Sequence, residues 1–437
     1  MKAISYIFFG ISLCFLFTAV SGQVPGDTTE LVFSENSNIQ VLDSQRTFSS
    51  FLSSYVVKPM RLTLMHEASF KVKAPGRIMN NRSSVRLEYS KFLLNNLLYL
   101  QLDTKLIGYW SDDHQAKPTG KNILFRSRTR EAFLQTSFGG TSIKAGYQCL
   151  IWGESDVGAI TDEVSPRNYS ELFFIPLDES RIGQPMLTID HFSKVGDWSC
   201  FLIPTPTYNE YPKPGTAYSS VLLNDVKVPN GTLDINNSEI GMKWKKTFGR
   251  SDINIMAASL IDNDYFIKKQ RFNMFGSTFN FATGVFLLKG ELALKSPKDF
   301  YALDTTTNAR KVVQKDDFQT SLALEYSPGG NFSASLESVD YHILGWNNMI
   351  VDFPKDFSSV VLTLSDKFFH EDLSVNYMNY WTVSYPSFLH VLTASYRWND
   401  HVNLTLTVYY PDIIDKRNHY WTFRDQKQLN FKIQYQF

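Results

Sequence analysis

One stretch gathers most of the groups that could do chemistry: "CLIWGESDVGAITDEVSPRNYSELFFIPLDESRIGQP", residues 149–185, in which Glu154, Asp156, Asp162 and Glu163 are closely spaced. Such carboxylates can serve as acid–base catalysts, bind a divalent cation or pair with basic side chains. The spacing of a twelve-residue calcium loop is absent, so we predict no metal site and no cofactor. The interleaved Arg167 and Arg181 favour ion pairing.

A basic pattern precedes this stretch. Arg126, Arg128 and Arg130 alternate in "NILFRSRTREAFLQTSFGG", and on a strand alternate side chains share one face. Arg82 and Arg86 in "RSSVRLEYS" extend the pattern. In a pore these guanidinium groups would attract anions and orient carboxylates or phosphates. Alternatively they pair with acidic residues of an inward loop, which is favoured because such a sequence follows at once.

Motifs for catalysis are weak. "HEAS" at His66 and "HEDLS" at His370 lack the second histidine of a zincin motif, and neither a nucleophile elbow nor a phosphate loop occurs. We therefore predict that the protein is not an enzyme. An outer-membrane lipid hydrolase stays open as an alternative, and a histidine next to a serine at a barrel rim would support it.

Alternation with period two dominates the chain and identifies the elements that carry these residues. Leu98, Leu100 and Leu102 alternate with Gln101 and Asp103, which predicts a strand with one apolar and one polar face. Many other segments repeat the pattern, whereas helical periodicity is weak. Aromatic residues form 15% of the chain.

The first residues predict export. "MKAISYIFFGISLCFLFTAVSG" has a basic, an apolar and a small-residue region in that order, so we expect a signal peptide over residues 1–22. Residues 23–58 should form a short periplasmic or lumenal segment. The 43 basic and 43 acidic residues balance, which gives no electrostatic case for a nucleic-acid partner. Cys149 and Cys200 could pair.

Alternating strands can build a soluble sandwich or a membrane barrel, and two features favour the barrel. The strand candidates 251–261 and 264–275 are joined by the tight polar turn "DND". Aromatic residues lie near predicted strand ends, as in the belts at bilayer interfaces. These belt candidates are Tyr109, Trp110, Trp152, Trp381 and Trp398.

The last eleven residues, "KQLNFKIQYQF", decide between the two. Every second residue is apolar, up to a terminal phenylalanine: Leu429, Phe431, Ile433, Tyr435 and Phe437. This pattern is typical of the closing strand that the barrel-assembly machinery reads in Gram-negative outer-membrane proteins. We predict an all-β, antiparallel up-and-down barrel over residues 59–437, embedded in outer-membrane lipid, with about 16 strands and a range of about 14 to 18.

The acidic stretch also resembles a known family. "GYQCLIWGESDVGAITDEVSPRNYSE" is similar to an uncharacterised family of Gram-negative outer-membrane barrels related to porins and alginate-export-type channels. The family has Trp-Gly, two aspartates, Asn-Pro-Arg and then Arg-X-Pro. The corresponding residues are Trp152, Gly153, Asp156, Asp162, Pro166, Arg167, Arg181 and Pro185. Ser165 replaces the usual Asn, and Gly183-Gln184 lengthens the Arg-to-Pro spacing.

The resemblance implies an outer-membrane channel and no particular substrate. We expect a monomer or homo-oligomer that passes a polar solute or exports a lipid- or polysaccharide-like molecule, with a loop near residues 153–185 folded inwards. The expected pore-lining residues are Arg82, Arg86, Arg126, Arg128, Arg130, Glu154, Asp156, Asp162, Arg167 and Arg181. The alternative from another class is a closed barrel that acts as a scaffold, adhesin or assembly partner.

Overall fold

A computed structural model describes residues 57–72, 77–219, 235–264, 270–303, 310–351, 353–418 and 420–437. All of these residues lie in one compact unit, Phe51–Phe437. The predicted signal peptide lies outside the described residues, as does the segment 23–58 apart from Val57 and Lys58.

The described residues of this unit form eighteen strands. The first nine are β1 (Met60–Lys71), β2 (Ile78–Leu93), β3 (Leu98–Trp110), β4 (Ile123–Phe138), β5 (Thr141–Gln148), β6 (Gln184–His191), β7 (Asp197–Ile203), β8 (Glu239–Phe248) and β9 (Ser251–Ile261). The others are β10 (Arg271–Thr283), β11 (Phe286–Leu303), β12 (Arg310–Tyr326), β13 (Ser333–Leu344), β14 (Asp356–Phe368), β15 (Leu373–Thr382), β16 (Ser387–Arg397), β17 (Val402–Ile413) and β18 (Gln428–Gln436).

Each strand pairs antiparallel with its neighbours in sequence, and β1 pairs with β18, so the sheet closes on itself. Closure leaves no unpaired sheet edge, which is what a sheet needs in lipid. The predicted barrel class is confirmed. The observed eighteen strands lie at the upper end of the predicted range. Turns of only two residues, such as 139–140 and 284–285, leave more of the chain for strands.

The period-two pattern separates an apolar outer face from a polar lumenal face. In β11, Leu292 is 49% exposed on the outside, whereas its neighbour Glu291 is 1% exposed and faces inwards. In β18 the alternating set that includes Phe431 and Ile433 lies on the outer face, where both side chains are 48% exposed. A lipid-facing side chain has no protein neighbour above it, so exposure marks the outside here.

The two ends of the barrel differ. Short turns such as Gly139–Gly140 and Gly249–Arg250 join strands at one end, where Met60 and Gln436 also lie. Longer connections lie at the opposite end, and the longest described without a gap is 149–183, between β5 and β6. The expected tight turn "DND" is wrong, because β9 ends at Ile261 and β10 begins only at Arg271.

Helical segments among the described residues are short. They are the 3-10 turns Lys117–Thr119, Leu172–Phe174, Ile235–Asn237 and Trp421–Phe423, and the single-turn helix α1 (Leu177–Ser180). None of the helices in the described ranges has the length and hydropathy to cross a membrane.

The predicted aromatic belt is correct only in part. Trp110, Trp381 and Trp398 are exposed, but Tyr109 and Trp152 are 3% and 1% exposed. Tyr109 is on the lumenal face of β3, opposite Arg82. Trp152 comes after the end of β5 at Gln148, and its side chain packs inside the barrel, so its position in the sequence does not place it at a bilayer interface.

Candidate lumenal constriction

Residues 149–183, called the inward loop below, leave and rejoin the barrel wall at one point. Gln148 at the end of β5 pairs with Gln184 at the start of β6. Where the loop returns, a Cβ on Gly183 would lie 2.0 Å from the Arg130 carbonyl oxygen, so only glycine fits there. The loop is therefore an insertion into a single β-hairpin.

An apolar cluster anchors the first residues of the loop. The Trp152 ring contacts Phe201 edge-on, with ring centroids 5.2 Å apart. Val164 of the loop joins the same buried cluster, together with Met256 and Phe272 from the lumenal faces of β9 and β10. Burial of these side chains holds the loop against β7, β9 and β10, and each fully buried large side chain contributes roughly 1.5–3 kcal/mol.

Two buried glutamates of the wall bind the loop backbone. The Glu291 carboxylate accepts hydrogen bonds from the backbone N–H groups of Glu154 (2.6 Å), Ser155 (2.7 Å) and Thr161 (3.0 Å). It also accepts the Thr161 hydroxyl at 2.8 Å. On β13, Glu337 accepts the backbone N–H groups of Val157 and Gly158. A turn of backbone N–H groups thus surrounds each carboxylate, as in anion-binding nests.

Ionic contacts reinforce this attachment. Asp156 lies 3.4 Å from Lys289, and Lys295 donates to Glu163 at 2.5 Å. Burial would raise the pKa of Glu163, but the ammonium groups of Lys295 and Lys298 outweigh burial and hold that pKa at about 2. Both lysine side chains lie on β11, so this strand binds the loop through residues of both charges.

Two further carboxylates of the loop accept hydrogen bonds. Glu154 contacts the barrel wall, and Asp162 organises the loop itself. Glu154 accepts from the Asn254 amide of β9 at 3.1 Å. Asp162 has a side chain that is 0% exposed and lies 3.2 Å from Arg167. Arg181 donates to the same carboxylate through Nε at 2.9 Å. Removal of one member of such a buried pair costs about 3–5 kcal/mol.

The second half of the loop binds the opposite side of the barrel. Glu171 lies 2.6 Å from Arg82 of β2 and 3.2 Å from His114. Burial would raise the pKa of Glu171, but Arg82 and His114 overcome it and hold the pKa well below its usual range. Glu179 accepts from Lys105 of β3 at 2.8 Å. Because one chain segment contacts β9–β13 and β2–β3, the inward loop crosses the lumen.

The other predicted arginines are also engaged. Arg86 donates twice to Asp103, at 2.8 and 2.6 Å, and Arg128 donates to Glu210 of the β7–β8 connection at 2.7 Å. Arg126 lies over the Tyr109 ring at 5.5 Å. These arginines have partners within the protein, but Arg86, Arg126 and Arg128 contact residues outside the inward loop. The pairing with acidic residues of the inward loop that was favoured above is seen for Arg82, with Glu171.

Arg130 does not continue the row of Arg126 and Arg128. Thr129 pairs with Thr104 and Glu131 with Asp103, so Arg130 is the extra residue of a β-bulge. A bulge inserts one residue on one strand only and shifts the alternation that follows. The expected three-arginine face is thus wrong at this position.

Sequence reasoning missed the wall residues that hold the loop, namely Glu291, Lys295 and Glu337. Each is a charged residue at a lumenal position of an alternating strand, as in "KGELALK" for Glu291 and Lys295. That position was the available signal, and many lumenal positions carry charges. The partners of Glu291 and Glu337 were backbone N–H groups, which leave no mark in a sequence.

A different surface lines the lumen from β14 to β17. Ser365, Asn376, Thr393 and Thr407 stand opposite one another in register on successive strands. Ser395 and Thr405 form the adjacent row, with their hydroxyls 3.1 Å apart. We call these six residues the neutral wall. They face the lumen because their strand neighbours Leu404, Leu406 and Val408 pair with the outward set of β18.

Cysteine and metal chemistry contribute little to this region. Cys149 and Cys200 are free thiols, and burial raises the pKa of Cys149 to about 11. No group of three or more His, Cys, Asp or Glu side chains in the described ranges is arranged to hold a metal ion.

Comparisons with known proteins bear on the fold. No family model and no curated protein matches the chain. Its structure is similar to that of OccAB1 from Acinetobacter baumannii, with a TM-score of 0.53, 9% identity and coverage of 86% of this chain and 95% of that one. For OccAB3 from the same organism the values are 0.53, 10%, 86% and 98%. This likeness shows the fold, a closed antiparallel β-barrel.

Proposed function

We propose that this protein is an outer-membrane channel through which a small polar solute diffuses, with the passage narrowed by the inward loop. The barrel would sit with its apolar outer face in lipid, and by analogy with other outer-membrane barrels its short turns would face the periplasm. Selection would depend on the width and charge of the wall, without a covalent step.

The observation that carries the proposal is the bracing of the inward loop. Glu291 and Lys295 hold it on one side and Arg82 and Lys105 on the other, so the loop has a fixed course across the lumen. Phe174 of the inward loop also packs on Tyr409 of β17, in a cluster that includes Val391 of β16. The neutral wall begins at the next lumenal positions along these strands, Thr407 and Thr393. Thr393 and Asn376 are neither buried nor fully exposed, as expected for side chains lining a narrow water-filled passage.

Liposome swelling tests the channel directly. Vesicles that contain the purified protein should swell in isotonic solutions of small neutral sugars, and the rate should fall steeply with sugar size. A barrel that serves as a scaffold, adhesin or assembly partner has no need of an open lumen. Absence of both swelling and ion conductance in planar bilayers would support that alternative and contradict the channel.

One contact bears on the hydrolase alternative. His66 Nδ1 lies 3.0 Å from Ser83 Oγ on the outer face of β1 and β2, and the Trp110 indole donates to the same hydroxyl at 3.2 Å. In the described part of the chain no other hydrogen bond orients the His66 ring, whereas a serine nucleophile needs a base oriented by a third group. The pair is better explained as two polar groups that satisfy each other in lipid.

The two explanations of this pair predict different results. Phospholipid vesicles containing the wild-type protein should release no more fatty acid than those containing Ser83→Ala. Release that depends on Ser83 would instead support a hydrolase.

The closing strand β18 supports assembly by the barrel-assembly machinery. Its outward side chains, including Phe431, Ile433 and Phe437, are exposed. Removal of Phe437 should lower the fraction of the protein that reaches the outer membrane in folded form, measured by heat-modifiable migration on gels. A Gln436→Asn variant, which keeps the apolar set, is the control.

A further inference from the structure

We propose that the neutral wall selects uncharged polyhydroxylated solutes of saccharide-like chemistry, an inference that rests on the proposed channel. The wall offers hydroxyl and amide groups and no formal charge over Ser365, Asn376, Thr393, Ser395, Thr405 and Thr407. A solute rich in hydroxyl groups can exchange its water hydrogen bonds for bonds with such a surface.

The arrangement of these groups supports the proposal. Thr407 stands opposite Thr393, Thr393 opposite Asn376, and Asn376 opposite Ser365, so one row of donors and acceptors runs across four strands. Directly opposed residues on antiparallel strands have Cβ atoms about 4.5–5.5 Å apart. This repeat is comparable to the separation of hydroxyl oxygens on opposite sides of a pyranose ring. Hydroxyls both donate and accept, so they adapt to solutes in several orientations.

Two lysines adjoin the wall. Lys367 lies 2.7 Å from Glu371, and Lys432 stands directly opposite Thr405 and, on its other side, opposite Glu67. The six wall residues themselves carry no charge, so an ion that moves along them loses hydration that they do not replace with an opposite charge, whereas a neutral solute loses less.

Three solutes of nearly equal size separate charge from size: glucose, gluconate and glucosamine. Their influx into vesicles containing the full-length protein gives the permeability of each. We expect glucose to enter fastest. Faster entry of gluconate or glucosamine would overturn the proposal while leaving the channel intact. Exclusion of all three, together with absence of salt conductance, would instead contradict the channel itself.

A pair of substitutions tests the wall residues. The Thr393 and Thr407 hydroxyls are 3.3 Å apart, and Thr393→Val with Thr407→Val removes both at nearly constant size. Glucose permeability should fall by about two- to tenfold, as for one lost hydrogen bond with the solute. Salt conductance should stay within the spread of the wild type, because the width of the passage does not change.

A matched control exists on the outer face. Thr104 and Thr129 are also opposed, with hydroxyls 3.2 Å apart, and they point to lipid. Thr104→Val with Thr129→Val should leave glucose permeability unchanged. Equal permeability in the lumenal pair and the outer pair would overturn the proposal. If the lumenal pair fails to assemble, Thr393→Ser with Thr407→Ser keeps the hydroxyls and should retain glucose entry.

Discussion

The lumen has two kinds of polar wall. On β11 and β13 the charged residues Glu291, Lys295 and Glu337 are buried under the inward loop. On β14–β17 the neutral wall consists of hydroxyls and one amide, which are partly exposed except for the buried Thr407. The period-two pattern of the sequence does not distinguish these two kinds of lumenal residue. The first set holds the inward loop in place, and the second faces the lumen beside the loop.

The comparison separates structural charge from charge that acts on a solute. A buried carboxylate with four donors, such as Glu291, has no remaining capacity to bind a passing molecule. A half-buried hydroxyl such as that of Thr405 can still form a hydrogen bond with a solute. Three predictions use this contrast, from the largest expected effect to the smallest.

The largest effect should follow from Glu291→Gln. The amide keeps one acceptor oxygen and turns its N–H groups either towards the donors of Glu154 and Ser155 or towards those of Thr161. Each buried donor left without a partner costs about 1–3 kcal/mol, so the first half of the loop should detach. Single-channel conductance in planar bilayers should rise severalfold, with increased current noise.

The control for this variant is Asp190→Asn. Asp190 lies on the lumenal face of β6 and contacts Lys144 at 3.7 Å. Conductance of Asp190→Asn should stay close to that of the wild type. A similar rise in both variants would mean that conductance responds to wall charge in general, and the distinction between the two walls would be lost.

An intermediate effect should follow from acidification. The pKa of Glu163 is depressed from 4.5 to about 2, so its carboxylate stabilises the attached loop fully above pH 4.5. That stabilisation is lost as the pH falls towards 2, because protonation removes the charge that faces Lys295 and Lys298. Conductance should therefore rise on the acidic side of pH 4.5.

The Glu163→Gln variant isolates this group. It should show a higher conductance at neutral pH and a smaller additional rise on acidification. Glu171, whose pKa is also depressed, should account for the remaining rise. If Glu163→Gln follows the wild-type profile at every pH, the Lys295 contact does not hold the loop.

The smallest effect concerns Arg128 of β4 and Glu210 of the β7–β8 connection, an ion pair that is not part of the neutral wall. Glu210 has a side chain that is 48% exposed, and exposed pairs contribute little, about 0–1 kcal/mol. Arg128→Gln should shift the reversal potential slightly towards cations. The double variant with Glu210→Gln should restore it, since the net charge is then unchanged.

The fold could be predicted from the sequence because it depends on a repeated local signal. The alternation in β3 and in β18 reflects the two environments of a strand, and the outward residues Phe431 and Ile433 are exposed as expected. The number of strands was less certain, since it depends on turn lengths that a pattern does not define.

The site was harder to predict, for three physical reasons. Arg130 is the extra residue of a β-bulge, which changes the face to which the following side chains point. Nothing in the sequence marks the position of this bulge. Trp152 turns inwards only because the chain leaves the wall after Gln148. Glu291 binds backbone N–H groups, and every residue except proline supplies those. Ion pairs such as Glu171 with Arg82 join residues far apart in the chain. The sequence therefore shows the charge of each residue but not the residue with which it pairs.

The pairing of Gln148 with Gln184 has a consequence for how such barrels diversify. The cost of closing a longer insertion between these two residues grows only slowly with its length. A lineage could therefore exchange the segment 149–183 without changing the order of the strands, if the new segment also supplies partners for the buried charges of Glu291, Lys295 and Glu337. The same junction offers engineers a site at which a foreign loop could be placed inside the barrel.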